Sequence, residues 1–168
     1  MPPLSKYVCI FLLISWQISN AQPTPVSIYV FLSPECPLCQ NYTRTLNQLE
    51  QRYTGKITII GIVPGKTWKK SDLTAFAAKY HLAFPLEQDS DLKLTHSLHA
   101  TTTPEAILLG PDNTAIYRGA IDNWYKALGR SAGKPTQNYL QDAIDYTLRH
   151  QPPPTKKTVP VGCLINDF

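Results

Sequence analysis

Residues 26–39 constrain this chain more than any other stretch. Val26-Ser27-Ile28-Tyr29-Val30-Phe31-Leu32 is a β-branched and aromatic run with the pattern of a buried strand. Ser33-Pro34-Glu35 breaks it. A helical pattern then runs from about Pro37 to Tyr53, with Leu38, Tyr42, Leu46 and Leu49 near 3.6 spacing. Cys36-Pro37-Leu38-Cys39 therefore sits where a strand turns into a helix. A cysteine there faces unpaired backbone N–H groups and the positive end of the helix dipole, and both favour thiolate. Cys39 can turn back on Cys36 and form a disulfide, resolving a mixed disulfide. Pro37 suits the first turn, where no N–H is needed. The motif also fits half of a zinc site or a structural bridge, although no second pair of Cys or His stands at zinc spacing.

The remaining chain alternates strand and helix. Gly55 stops the first helix, and Ile57 to Val63 is a second strand closed by Pro64-Gly65. Ser71 is expected to cap a helix through Leu73, Phe76, Ala77 and Tyr80. Ala83 to Leu86 is a short extended piece, and Ser90 to about His99 is a further helix. Glu105 to Leu109 and Thr114 to Arg118 form a hairpin about the turn Pro111-Asp112-Asn113. Gly129 to Pro135 is a polar loop, and Thr136 to His150 is the last helix. Arg118 and Asp122 are candidates for an ion pair. This order implies an α/β fold, a central mixed sheet flanked by helices on both faces.

The ends have their own chemistry. Lys6 precedes the apolar run Val8 to Ile14, and Ser19-Asn20-Ala21 places small residues at a cleavage site. Residues 1–21 are expected to be a signal peptide, too short for a comfortable membrane span. Any membrane contact would come only through that segment if it stays uncleaved. Its removal takes Cys9 away and leaves Cys36, Cys39 and Cys163, an odd set for an exported, periplasmic or secreted protein. The 43% hydrophobic content excludes disorder throughout, and the 15 prolines are too scattered for a collagen-like chain. A charge of +4 spread thinly is no nucleic-acid signature.

The strand ending in Ser33-Pro34-Glu35-Cys36-Pro37-Leu38-Cys39, with Thr103-Pro104 before a later strand, resembles the thioredoxin fold. The resemblance implies a cis-proline at Pro104, facing the two cysteines, with the backbone of Thr103 open to an extended substrate. Residues 84–89, 99–109 and 116–122 are similar to exported redoxins of the alkyl hydroperoxide reductase/thiol-specific antioxidant type. Those proteins carry a helical insertion before the cis-proline strand. The resemblance spans roughly residues 26–150. It divides the chain into residues 1–21, a redoxin domain 22–150, and a Pro-rich linker with a Cys-containing tail, 151–168.

Within that resemblance, several activities separate. Peroxiredoxins use P-x-x-x-T-x-x-C; here Tyr29 stands at the proline position and Ser33 at the threonine position. Thiol peroxidase chemistry is therefore an alternative to disulfide exchange. Copper-chaperone thioredoxins carry C-x-x-x-C, unlike this chain, so a copper-binding metallochaperone joining His96 and His99 to the cysteines is a second alternative. Thioredoxin itself has Trp-Cys-Gly-Pro-Cys. Glu35 before the motif should oppose a low Cys36 pKa, which leans toward reduction. Glu105 is read as a solvent-facing strand residue or as a proton relay to Cys39. Gly162-Cys163-Leu164-Ile165 is too apolar for a loose end and resembles tails of some exported redoxins. Cys163 is a candidate third thiol, resolving or holding soft Cu(I), or else a free or intermolecular cysteine. The expectation is a monomeric thiol–disulfide oxidoreductase without cofactor or resident metal. Its partners would be protein thiols and disulfides and an electron donor or acceptor.

Overall fold

The structure is a computed structural model and describes residues 26–165. The segment expected to be a signal peptide, with Cys9, lies outside the described residues. In chain order the elements are β1 (Val26–Phe31), α1 (Pro37–Arg52), β2 (Ile57–Pro64), α2 (Lys70–Lys79), β3 (Leu86–Asp89) and α3 (Lys93–Ser97). They continue with β4 (Thr102–Thr103), β5 (Glu105–Leu109), β6 (Ala115–Gly119), β7 (Tyr125–Ala127), β8 (Arg130–Ser131), α4 (Tyr139–Leu148) and β9 (Cys163–Leu164).

A five-stranded sheet runs in the order β3-β2-β1-β5-β6. β1 pairs in parallel with β2, and β2 with β3; β5 is antiparallel to both β1 and β6. Side chains alternate across β1, which gives the sheet two cores. Ile28, Val30 and Leu32 face α1 and α4, packing on Leu38, Tyr42, Leu46, Leu140 and Ile144. Phe31, with Ile62, Ile107 and Leu109, faces the other way, against Ala100, Leu94, Leu98 and Ile165 of the tail. The mixed α/β, thioredoxin-like architecture expected from the sequence is the one observed.

Several elements differ from expectation, each for a local reason. α2 starts before Ser71: Asp72 accepts a hydrogen bond from the Lys69 N–H (2.8 Å) and caps the helix from its third position. The helix expected over Ser90 to His99 shrinks to Lys93–Ser97, because Leu92 (φ 55°) and His99 (φ 50°) take left-handed backbone at its two ends. Asp89 anchors it, accepting from the N–H groups of Leu94 and Thr95 at 3.2 and 2.7 Å. The loop expected over Gly129 to Pro135 begins as a small hairpin, β7–β8, turning at Gly129. Arg118 does not pair with Asp122; its guanidinium donates to the Leu98 carbonyl (2.5 Å).

The linker after α4 is stitched along the outer edge of β6. The Arg118 N–H donates to Lys156 O and the Thr158 N–H to Arg118 O, both at 3.0 Å. Thr158 Oγ1 lies 2.7 Å from the buried Tyr117 hydroxyl and accepts from the Ala120 N–H at 2.8 Å. At Gly119 (φ 130°) a Cβ would run into the Thr158 backbone and side chain, so this close approach needs glycine. The chain beyond is thereby steered back toward the end of β1 that carries Cys36.

Candidate active site

Cys36 is the N-cap residue of α1, with extended backbone (φ −72°, ψ 116°) and Pro37 in the first turn behind it. Its N–H donates to Ser33 O (3.1 Å), and its carbonyl accepts from the Gln40 N–H (3.0 Å). The strand–turn–helix sequence therefore holds the Cys36 side chain at the first turn of α1, where backbone N–H groups lack helical partners. Cys39, one turn in, is fully buried, and its sulfur accepts from the Ser33 N–H at 3.4 Å.

Thr103-Pro104 meets this turn from the head of the neighbouring strand β5, and the peptide bond between them is cis. The Cys36 thiol, when protonated, can donate to Thr103 O at 3.4 Å. Glu105 is buried rather than solvent-facing. Its Oε2 accepts from the N–H groups of Thr101 (2.9 Å) and Thr102 (3.3 Å) and fixes the loop leading to Pro104.

Cys163 completes the cluster. β9 pairs antiparallel with β4, in the register Thr102↔Leu164 and Thr103↔Cys163. The pairing continues with the Ile165 N–H donating to Thr101 O at 3.0 Å. In this register Cys163 Sγ donates to Cys36 Sγ across 3.0 Å.

The electrostatics separate the three thiols. A hydrogen bond from Cys39 does most to pull the Cys36 pKa down to about 5. Burial opposes it, and Cys163 and the N–H groups of Cys39 and Leu38 add to it. Burial pushes the Cys39 thiol well up, helped by its hydrogen bond to Cys36 and the charge there. Burial also raises Cys163, to about 11, with the same two contributions from Cys36. Glu35, expected to oppose a low Cys36 pKa, is solvent-exposed and does not prevent the drop.

Sequence reading missed the support behind Pro104. Asp122 is buried and accepts from the Tyr42 hydroxyl at 2.5 Å and from the Trp124 N–H at 2.8 Å. Burial raises its pKa and, with the Asp122 hydrogen bond, that of Tyr42. Tyr42, Pro104, Asp122 and Val161 line one small recess. Nothing in the sequence marks Tyr42 and Asp122 as a pair, because they lie on α1 and on the loop after β6. His96 and His99 do not join the cysteines: among the described residues no group of three or more His, Cys, Asp or Glu could hold a metal ion. A cavity of about 790 Å³ lies at the far end of β1, around Val26, Lys56 and Leu148, and contains no cysteine.

A family model described as thioredoxin-like matches residues 24–115, more than half of the chain. The chain belongs to the thioredoxin-like family. No curated protein matches the sequence of this thioredoxin-like chain. Among solved structures, a conserved protein of Geobacillus kaustophilus is similar with a TM-score of 0.76 and 19% identity, over 88% of this chain and 80% of that one. A Sinorhizobium meliloti protein is similar with a TM-score of 0.74 and 21% identity, over 86% and 80%. A secreted disulfide oxidoreductase of Mycobacterium tuberculosis, homologous to Escherichia coli DsbE, is similar with a TM-score of 0.50 and 19% identity, over 75% and 81%. At these identities the likeness shows the shared fold.

Proposed function

We propose that this thioredoxin-like chain is a thiol–disulfide oxidoreductase that works outside the cytoplasm on polypeptide cysteines. Cys36 is the nucleophile, Cys39 the resolving thiol, and Thr103-Pro104 the wall of the substrate groove. The observation that carries this reading is the placement of Cys36 at the head of α1, one turn from the buried Cys39 and 3.4 Å from the Thr103 carbonyl that precedes the cis Pro104, with the Cys36 pKa lowered to about 5 beside it. Export, with cleavage after Ala21, accords with the apolar run near the N-terminus and the small residues Ser19-Asn20-Ala21.

In the reducing direction the Cys36 thiolate attacks one sulfur of a polypeptide disulfide. The other sulfur leaves as a thiolate and takes a proton from water. Cys39 then gives up its proton and attacks Cys36, which closes the Cys36–Cys39 bond and releases the second substrate thiol. The reverse sequence donates a disulfide. A low Cys36 pKa stabilises the reduced pair, which favours that second direction and opposes the lean expected from Glu35. The peroxidase and copper alternatives have weaker support: Tyr29 and Ser33 stand where the peroxidase motif has Pro and Thr, and among the described residues no group of three or more His, Cys, Asp or Glu could hold a metal ion.

The pH profile of Cys36 alkylation tests the assignment. In the reduced protein the iodoacetamide rate at Cys36 should rise through a midpoint near pH 5 and level off above it, because only the thiolate reacts. A midpoint near the ordinary cysteine value of 9.0 would remove the activated nucleophile. The same shift links to folding. Since Cys36 ionises more easily folded than unfolded, its contribution to the stability of the reduced protein is full above pH 9.0 and is lost as pH falls toward about 5.

A further inference from the structure

The tail lies where a substrate peptide would have to lie. β9 is an extended segment antiparallel to Thr102–Thr103, directly before Pro104, and it carries a cysteine opposite Thr103. Three features hold that register. Ile165 is buried among Phe31, Ile62 and Ile107. Thr103 Oγ1 donates to the Cys163 carbonyl at 3.4 Å. At position 162 any Cβ would collide with the Thr103 carbonyl, so glycine alone lets the tail approach this closely.

With the tail seated, the accessible sulfur of the site is not Cys36. Cys36 and Cys39 are buried, whereas Cys163 is part-exposed. Cys163 also borders a groove of about 200 Å³ lined by Pro64, Thr67, Trp68 and Leu164. Its sulfur stands 3.0 Å from Cys36, within a short movement of the ~2.05 Å of a disulfide.

We propose that Cys163 is a third catalytic cysteine, which passes disulfides between external cysteine-bearing polypeptides and the buried Cys36/Cys39 pair. This rests on the exchange reading above and adds the route by which substrate reaches the pair. Cys163, once deprotonated, attacks a disulfide donor such as oxidised glutathione, and one glutathione thiol leaves. Cys36 attacks the glutathione-bearing Cys163 sulfur and expels the second. Cys39, giving up its proton, attacks Cys36 and frees Cys163 as a thiol, which leaves the Cys36–Cys39 pair oxidised. Cys163 loses its proton and attacks Cys36; the Cys36–Cys163 bond forms, the Cys36–Cys39 bond breaks, and Cys39 takes up a proton. A polypeptide thiolate then attacks the accessible Cys163 sulfur, and Cys36 departs as a thiolate. A second polypeptide cysteine, after deprotonation, attacks the polypeptide sulfur of that mixed disulfide. Cys163 leaves and is reprotonated. The polypeptide has lost two electrons and two protons and gained one disulfide; Cys36 has been reduced with Cys163. The reducing direction runs the same steps backward. Cys36 is the better leaving group of the two because its pKa is the lower.

The test uses the full chain. Cys39→Ser, treated with oxidised glutathione, digested without reduction and mapped by mass spectrometry, should carry a Cys36–Cys163 bridge. A brief pulse of a one-cysteine peptide, quenched in acid, should then appear on Cys163 with Cys36 free. Glutathione or peptide on Cys36, with Cys163 a free thiol throughout, overturns the proposal. In a second arm, Cys163→Ser should oxidise a two-cysteine peptide about a hundredfold more slowly, the lower end of what a tethered reactant gains over a free one. An unchanged or faster rate makes the tail a mere cover and also overturns the proposal. If Cys163→Ser folds poorly, the Cys39→Ser map decides alone. Cys36→Ser separates the two readings: full activity there defeats the exchange mechanism itself, whereas an inactive Cys36→Ser, together with adducts only on Cys36 in the Cys39→Ser map, defeats only the relay.

Discussion

Cys36→Ser is expected to lower reduction of insulin disulfides by ~10³-fold or more, because it removes the sulfur of the exchange pair through which every disulfide must pass. A hydroxyl at the head of α1 cannot form a disulfide, and burial, the largest cause of the raised pKa of both Cys39 and Cys163, still holds the two remaining cysteines against ionisation. Secondary structure should change little, since Cys36 occupies a cap position that makes no side-chain cap hydrogen bond, whereas thermal unfolding of the reduced protein should lose the part contributed by the Cys36 thiolate. Cys39→Ser should behave differently. It keeps the first attack and loses only the resolution by Cys39, so it accumulates a bonded intermediate on Cys36. An active Cys36→Ser would mean that the chemistry runs elsewhere.

A large loss of stability is expected at Phe31. The ring is fully buried in the second core, with Ile62, Ile107, Leu109 and the tail residue Ile165 around it. Phe31→Ala should cost about 3–5 kcal/mol, combining lost transfer energy with the cavity left behind. For a domain whose whole margin is on the order of 5–15 kcal/mol, that is a large share. Because Ile165 leans on the same core, the variant should also loosen β9, and alkylation of Cys36 should quicken. Urea unfolding followed by circular dichroism gives the first number, and peptide mapping after a short iodoacetamide pulse gives the second. A loss below about 1 kcal/mol would mean that the second core can collapse around the vacancy.

The parts of the fold that were legible from sequence are those carried by local pattern. The apolar run of β1, the break at Ser33-Pro34-Glu35 and the spacing of Leu38, Tyr42, Leu46 and Leu49 place Cys36 at a helix head without any tertiary information. The Thr103-Pro104 site came through resemblance to a fold. What local pattern does not carry is pairing at long range. Glu105 reads as a strand residue that could face water, yet the nearby N–H groups of Thr101 and Thr102 give its carboxylate partners inside the protein. Tyr42 and Asp122 meet across the fold. Leu92 and His99 cut α3 short by adopting backbone that their residue types rarely take. The apolar tail announced that it would dock. Its landing on β4, in a register that puts Cys163 on Cys36, depends on the linker's path along β6 and on Gly162.

The most direct test is a redox titration of the full chain, with thiols trapped at each potential and each cysteine counted by mass spectrometry. At successive pH values the chemistry proposed here predicts a two-electron transition at Cys36. Its midpoint should fall by about 30 mV per pH unit between about pH 6 and pH 8, rather than by ~59 mV, because Cys36 is already a thiolate and only its partner takes up a proton. A Cys36 that stays freely alkylated at every potential would contradict the account.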